Sequence, residues 1–298
     1  MRSSAVLVNP ARVRSQAALR KSIIQELAEE GWPAPLWLQT DREDAGESAA
    51  RGAVAAGVEV LFVCGGDGTV MAAVAALAGT QTALAVIPSG TGNLLALNLR
   101  LPADVGSAVR VVTRGDRRNI DLGEADGRLF AVAAGIGLDA QILAETPRRA
   151  KHRLGWPAYA AAALRHLGEP RFPAKVSLDG GTPIEREVRS VLVANVGRLP
   201  GGINLLPEAV ADDGLLDVAL IAPRRLHDWA RLLTSLMGRH PTGGRLETFR
   251  ARRVDITTSE PQPREMDGEP LPPGELLAVR IRPNALTVCV SRNLPTSR

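Results

Sequence analysis

Two glycine-rich turns carry most of the chemistry this sequence could do. Gly65-Gly66-Asp67-Gly68-Thr69 ends an apolar, β-branched run and opens Ala-rich helical sequence. Pro88-Ser89-Gly90-Thr91-Gly92-Asn93 stands in the same position after the next such run. A strand that runs through glycines into a helix presents bare backbone N–H groups and the positive helix end to one point, which suits a phosphate. One such turn alone also admits the weaker reading of a plain strand-to-helix connection. Two in succession are harder to assign to coincidence. Acids at turns complete the set: Asp67, Asp121, Asp212 and Asp213, Asp217 and Asp267. Phosphoryl transfer needs that combination, with backbone donors for the nucleotide phosphates, carboxylates for Mg²⁺ and a further carboxylate for the acceptor's proton.

The elements that must position these groups follow from hydrophobic periodicity. Ala5–Val8 reads as a strand, Ser15–Glu30 as a helix, Pro35–Thr40 as a strand and Glu43–Ala56 as a helix. A strand from Val58 leads into the first glycine turn, and Thr82–Ile87 leads into the second; helices follow at Leu94–Leu97 and about Ala103–Arg114. This alternation predicts a doubly wound, mainly parallel α/β sheet, whose ligands bind beyond the carboxyl ends of the strands. Near Arg117 the pattern changes. Asn119–Glu124, Leu129–Ala134, Ala174–Leu178, Glu187–Val196, Leu215–Ile221, Val254–Thr258 and Leu276–Arg282 are strand-like, separated by turn signals such as Asp126-Gly127 and Asp179-Gly180-Gly181. Helical sequence in this half is confined to about Leu138–Glu145, Arg153–His166 and Arg224–Met237, and the Pro-rich stretch Pro261–Pro273 reads as loop around an acidic turn. The expected plan is an α/β domain over residues 1–118 and an antiparallel β-sandwich over 119–283, with the site in the cleft between them.

Composition narrows the function classes. The length of 298 residues favours two domains, and 45% hydrophobic content supports soluble cores. No apolar run approaches a membrane span, and the N-terminal apolar run breaks at Pro10, too early for a signal peptide, so a cytoplasmic protein is the expectation. Cys64 and Cys289 sit in apolar runs and read as reduced core residues. The net charge of +4 is modest and aromatics are 3%, which argues against nucleic acid but allows an anionic membrane surface or a phosphorylated ligand. A P-loop, H-E-x-x-H and paired C-x-x-C are all missing, Gly135-Ile136-Gly137 lacks the third glycine of a dinucleotide fingerprint, and Ser89 sits in no nucleophile elbow.

The two turns, Gly65–Thr69 and Pro88–Asn93, together resemble the diacylglycerol kinase catalytic family, which includes bacterial soluble lipid kinases, sphingosine kinases and ceramide kinases. The similarity extends, in the family's order, to Asn9-Pro10, Thr40, Ile120–Gly123, Ala134–Ala140, Leu154-Gly155 with Ala158-Tyr159, Asp212–Asp217 and Met266-Asp267-Gly268-Glu269. The chain departs from it at Ala11-Arg12, where a glycine or serine often follows the Asn-Pro, and at Gly92, where several relatives carry alanine.

Carried over residue by residue, the resemblance implies an ATP site lined by Asn9, Thr40, Gly65, Gly66, Asp67, Gly68, Thr69 and Thr91. It implies Asp67 at the phosphates and Mg²⁺ with Asp121 in support, Asp267 as general base, and Glu269 close enough to tune it or touch metal. It also implies a metal site that supports the fold, formed by Asp213 with the carbonyls of Val210 and Leu215, donors that suit a hard cation. Residues 284–298 would return to the first domain, and a homodimer is left open. The function so implied is transfer of the ATP γ-phosphate to a hydroxyl of diacylglycerol or a related lipid, at the inner face of the membrane. Arg148–Arg153 would touch anionic headgroups there, or else form a solvated helix start. Two rivals stand beside it. An NAD kinase shares the Gly-Gly-Asp-Gly-Thr turn, but Asn93 is followed by Leu94-Leu95-Ala96 rather than that family's Asn-Glu pair. The other is a non-catalytic nucleotide- or lipid-binding module of the same fold.

Overall fold

The computed structural model describes residues 2–41, 43–90, 92–137, 170–198, 204–223, 228 and 246–292. The helical expectations at 138–145 and 153–166, most of that at 224–237, and the basic stretch 148–153 lie outside them. The chain forms two compact units, Met1–Asp121 with Pro283–Arg298, and Leu122–Arg282. Among the described residues no helix is long and apolar enough to cross a membrane.

The first unit is α/β. Its strands are β1 (Ser4–Val8), β2 (Leu36–Gln39), β3 (Val60–Gly65) and β4 (Ala83–Pro88), all parallel, in the order β2-β1-β3-β4. Every residue of β1 and β3 is buried. Parallel strands covered on both faces read as unbroken apolar runs, as these do. Helices α1 (Gln16–Glu29) and α5 (Val105–Arg114) pack together, with Ile23, Leu27, Val109 and Val112 against Val6 and Phe62. Helices α2 (Glu47–Ala55) and α3 (Asp67–Leu77) form the other packed pair, and α4 (Leu94–Asn98) is a short helix after β4. Because β1 lies between β2 and β3, the winding reverses between β1 and β3, and the ends of those two strands are where such sheets hold ligands.

The second unit is antiparallel. It contains β5 (Asp116–Ala125, which begins in the first unit), β6 (Arg128–Phe130), β7 (Ala133–Gly137), β8 (Phe172–Leu178), β9 (Ile184–Val188), β10 (Ser190–Ala194), β11 (Leu216–Ile221), β12 (Leu246–Ala251), β13 (Arg253–Met266) and β14 (Glu269–Val290). Strands β12, β11, β10, β7 and β13 are neighbours in that order, and β8 joins β13 to β9. β14 leaves this unit at Arg282 and pairs in parallel with β4 through Val288 and Leu84. Asp126-Gly127, Asp179-Gly180 and Asp267-Gly268 all hold positive φ at both residues, the conformation that makes Asp-Gly a tight hairpin turn.

Three sequence expectations need correction. Pro261–Pro273 is not a loop: β13 and β14 run through it as a hairpin, with register shifts between Thr257 and Gln262 and between Gln262 and Arg264. Proline lacks an N–H and so collects at such irregularities. Arg264 supplies donors instead, reaching the carbonyls of Pro272 and Leu276, each at 2.9 Å. The expected strand Leu129–Ala134 is two strands, for a reason found at Asp267 below, and Glu187–Val196 splits likewise at Arg189. Strand β12 escaped notice because only Leu246, Phe249 and Ala251 in it are apolar.

Cys64 and Cys289 are free and buried, and burial pushes both thiols up to about 12. Neither is expected to react with a thiol reagent at pH 8 in the native protein, and both are expected to react in denaturant. A native titration that finds a fast thiol would contradict the packing of the first unit.

Candidate active site

Three loop segments meet at the carboxyl edge of the first unit's sheet. After β1, Asn9 donates through its N–H to Cys64 O at 2.9 Å, which fixes the loop to the end of β3. Asn9 Nδ2 donates to Thr69 Oγ1 at 3.1 Å, while Asn9 Oδ1 accepts from Ala11 N–H at 3.0 Å. Thr40 follows β2 and donates from its N–H to Val8 O at 2.9 Å. Asn9, Thr40 and Thr69 are therefore tied to one strand edge.

The glycines explain how closely the loops approach. A Cβ on Gly65 would lie 2.6 Å from Thr69 Cβ, and one on Gly90 would lie 2.6 Å from Gly66 Cα. The two glycine turns touch backbone to backbone, and any side chain would separate them. Helix α3 starts at Asp67 after Gly66, and no side chain caps it. A helix start whose N-cap residue supplies no side-chain acceptor suits an anion.

Asp67 does not serve as that acceptor. Its carboxylate turns to the second loop, where Oδ2 accepts from Asn93 N–H at 3.0 Å and Oδ1 from Leu94 N–H at 2.7 Å. It therefore caps α4, a helix without a side-chain cap of its own, and locks the second turn to the first. Gly92 makes room for it, since a Cβ there would sit 2.5 Å from Asp67 Oδ2. Asn93 Nδ2 closes the second loop on Gly90 O at 2.6 Å. Thr91 lies outside the described residues.

One residue near these loops was not singled out by sequence reading. Arg12 Nε lies 4.0 Å from the position a Cβ on Gly66 would take, so this guanidinium runs beside the bare glycine turn. Asn9 O accepts from Arg12 N–H at 3.0 Å, closing the tight turn that sends it there. The signal was present as the departure Ala11-Arg12.

Asp121 is buried in the first unit, and Oδ1 accepts from Asn284 N–H at 2.8 Å. That bond anchors the returning end of β14.

In the second unit, Asp267 occupies the β13–β14 turn. Its Oδ2 accepts from Ala131 N–H at 2.8 Å, and its Oδ1 accepts from Val132 N–H at 2.9 Å and Ala133 N–H at 3.0 Å. Those three N–H groups turn to the carboxylate instead of a ladder, which is why β6 and β7 are separate strands. The Gly268 N–H donates to buried Glu265 Oε2 at 2.8 Å, a second clamp on the turn. Asn195 Nδ2 braces Ala131 O at 3.2 Å. Glu269 is exposed, 3.7 Å from Arg128 Nη2.

A third cluster surrounds the Asp212–Asp217 turn. Asp213 Oδ1 accepts from Leu215 N–H at 3.0 Å. Asp217 is buried; its Oδ1 takes Arg250 Nε at 3.0 Å, while Oδ2 is buried without a hydrogen-bond partner. Burial pushes the Asp217 carboxyl up, Arg250 opposes this, and the negative charges of Asp213 and Glu208 add to it. An orphaned carboxylate oxygen among like charges fits a cation. Among the described residues no three His, Cys, Asp or Glu side chains converge, so backbone carbonyls such as those of Val210 and Leu215 would have to complete such a shell.

Comparison with known proteins agrees with the fold. Residues 3–125 match the diacylglycerol kinase catalytic domain, and residues 131–290 match the YegS C-terminal NAD kinase beta sandwich-like domain. A Pseudomonas syringae protein named "Probable lipid kinase YegS-like" is 32% identical over 92% of this chain and 90% of its own. The Bacillus subtilis protein named "Diacylglycerol kinase" is 29% identical over 83% of this chain and 82% of its own. A crystal structure of a diacylglycerol kinase from Bacillus anthracis superposes with a TM-score of 0.75 at 23% identity, covering 97% of each chain. An NAD kinase from Archaeoglobus fulgidus in complex with ATP shares the fold more distantly, with a TM-score of 0.53 at 10% identity, covering 96% of this chain and 93% of that one.

Proposed function

The chain belongs to the diacylglycerol kinase catalytic family, a family of lipid kinases, and from that premise we propose that it transfers the γ-phosphate of ATP to a hydroxyl of diacylglycerol or a related lipid, with Mg²⁺. The observation that carries the proposal is the contact of the two glycine turns. Gly66 and Gly90 meet backbone to backbone at the uncapped start of α3, and Asp67 holds the second turn in place. Such a cradle suits the phosphates of a nucleotide.

In this reading Asn9, Thr40, Thr91 and Gly65–Thr69 surround ATP, with Asp67 keeping the loops in register. Arg12, running beside Gly66, takes up charge on the phosphate chain. Arg12→Ala is expected to raise the KM for ATP about tenfold with the fold intact, since one charge-assisted contact is lost. An unchanged KM would remove Arg12 from the site. Asp267, held by three N–H groups, cannot swing away, and it orients the acceptor hydroxyl and receives its proton. Glu269 assists there. When bound, Mg²⁺ would neutralise charge on the transferring phosphoryl group, and the candidate carboxylates are Asp67 in the first unit and Glu269 in the second.

The Asp213 turn is proposed as a separate cation site that steadies the second unit through Asp213, the Val210 and Leu215 carbonyls and the orphaned oxygen of Asp217. Saturating Mg²⁺ or Ca²⁺ is expected to raise the melting temperature by about 5 °C over chelator, and Asp213→Ala to abolish the rise. A variant that still gains the full increment would place the cation elsewhere.

Labelled ATP offered with diacylglycerol and with NAD as acceptors tests the proposal. Label in the lipid and none in NAD is the expected result. Label in NAD would overturn it.

A further inference from the structure

A groove of about 370 Å³ lies along α5 in the first unit, and none of its lining residues belongs to the glycine turns. Four arginines line it, Arg100, Arg110, Arg114 and Arg292, with the hydroxyls of Ser107 and Ser291. We propose that this groove is a second anion site, taking the phosphate of a phospholipid headgroup or of a small soluble phosphate ester. It rests on no part of the kinase reading.

The fold builds the groove deliberately. A Cβ on Gly115 would lie 2.3 Å from both Val111 O and Val290 O, so the end of β14 reaches α5 only because residue 115 has no side chain. That approach delivers Ser291 and Arg292 to the helix. Arg100 holds a positive φ of 52° just past α4, where glycine is the usual residue. An arginine kept at that position, against its backbone preference, suggests that its side chain is wanted.

The charge balance favours a further anion. Arg110 Nη1 meets Glu26 Oε2 at 3.5 Å and its Nη2 donates to Ser107 Oγ at 2.9 Å. Arg114 is held firmly by Glu30, with Nε at 2.9 Å. Arg292 Nε is 3.9 Å from Asp116 Oδ1, beyond hydrogen-bond range. Among the described residues the Arg100 guanidinium has no hydrogen-bond or ion-pair partner. Four guanidinium forks thus face three carboxylates, two of them at long range, and donors remain for oxygens of a ligand.

Chemistry and size select the ligand. Planar guanidinium forks match phosphate oxygens, and hydroxyls add neutral donors. The volume falls within the range of small-molecule sites, so an ester fits as well as a bare phosphate. The lining holds no aromatic ring, which leaves a nucleobase nothing to stack on.

The test is equilibrium binding of the full chain at low salt. The probes are inorganic phosphate, glycerol 3-phosphate, and phosphatidylcholine vesicles with and without phosphatidylglycerol. Arg100→Ala/Arg292→Ala is the variant, because neither side chain holds a close bond in the fold. Wild type is expected to bind glycerol 3-phosphate or the anionic vesicles. The double variant should bind about tenfold more weakly, at an unchanged melting temperature and an unchanged KM for ATP. Binding to vesicles identifies a headgroup as the source, and binding to the soluble ester alone identifies a free phosphate ester; either supports the site. Equal binding by wild type and variant on every probe, or no binding by wild type, overturns it. The assay needs no phosphoryl transfer, so its failure leaves the kinase reading intact.

Discussion

Asp267→Asn is expected to lower lipid phosphorylation by about 10²–10⁴-fold while ATP affinity stays within about threefold of wild type, the scale lost when a positioned general base is removed. The amide keeps the size of the side chain but turns an NH₂ group toward a set of N–H donors that the carboxylate satisfies at Ala131, Val132 and Ala133. One of those donors loses its acceptor, at a cost of about 1–3 kcal/mol in stability. A purely structural role would make the activity loss follow the unfolded fraction, and so disappear at low temperature. The proposed role requires the loss to persist in fully folded protein. Because Asp267 lies in the second unit and the glycine turns in the first, nucleotide affinity is the internal control.

Asp67→Ala is expected to act differently. It removes the acceptor shared by Asn93 and Leu94, uncaps α4 and frees the second glycine turn from the first. Stability should fall by about 1 kcal/mol, the usual value of a helix cap. Turnover should fall about 10²-fold or more and the KM for ATP should rise, because small displacements of a positioning loop carry costs of that order. Asp67→Asn separates geometry from charge. Its side-chain oxygen can still cap one N–H, so it is expected to recover much of the stability and little of the turnover. Stopped-flow ATP binding and steady-state kinetics on the two variants check this. Equal recovery of both properties would make Asp67 a structural cap alone.

Much of the architecture could be read from the chain because its causes are local. Unbroken apolar runs at Ala5–Val8 and Val60–Cys64 announced parallel strands buried on both faces, and Asp-Gly pairs announced hairpins. The features that escaped depend on partners remote in sequence. The break at Ala131–Val132 follows from a carboxylate at position 267, and the Pro-rich hairpin holds together through donors from Arg264. At the candidate site the glycine turns were legible by composition. That Asp67 spends both oxygens on the second turn was not, since nothing in a single turn says where its acid will point. Arg12 was visible only as a departure from an expected motif, and its place beside Gly66 is what brings it into the proposed site.

The central claim, phosphoryl transfer from ATP to a lipid hydroxyl, is tested most directly by incubating the protein and labelled ATP with an array of lipids and an extracted membrane pool, and identifying every product by mass. The expected result is a single class of phosphorylated lipid, formed by wild type and lost in Asp267→Asn. Label recovered only in water or in a soluble acceptor, or lipid phosphorylation undiminished in that variant, would contradict it.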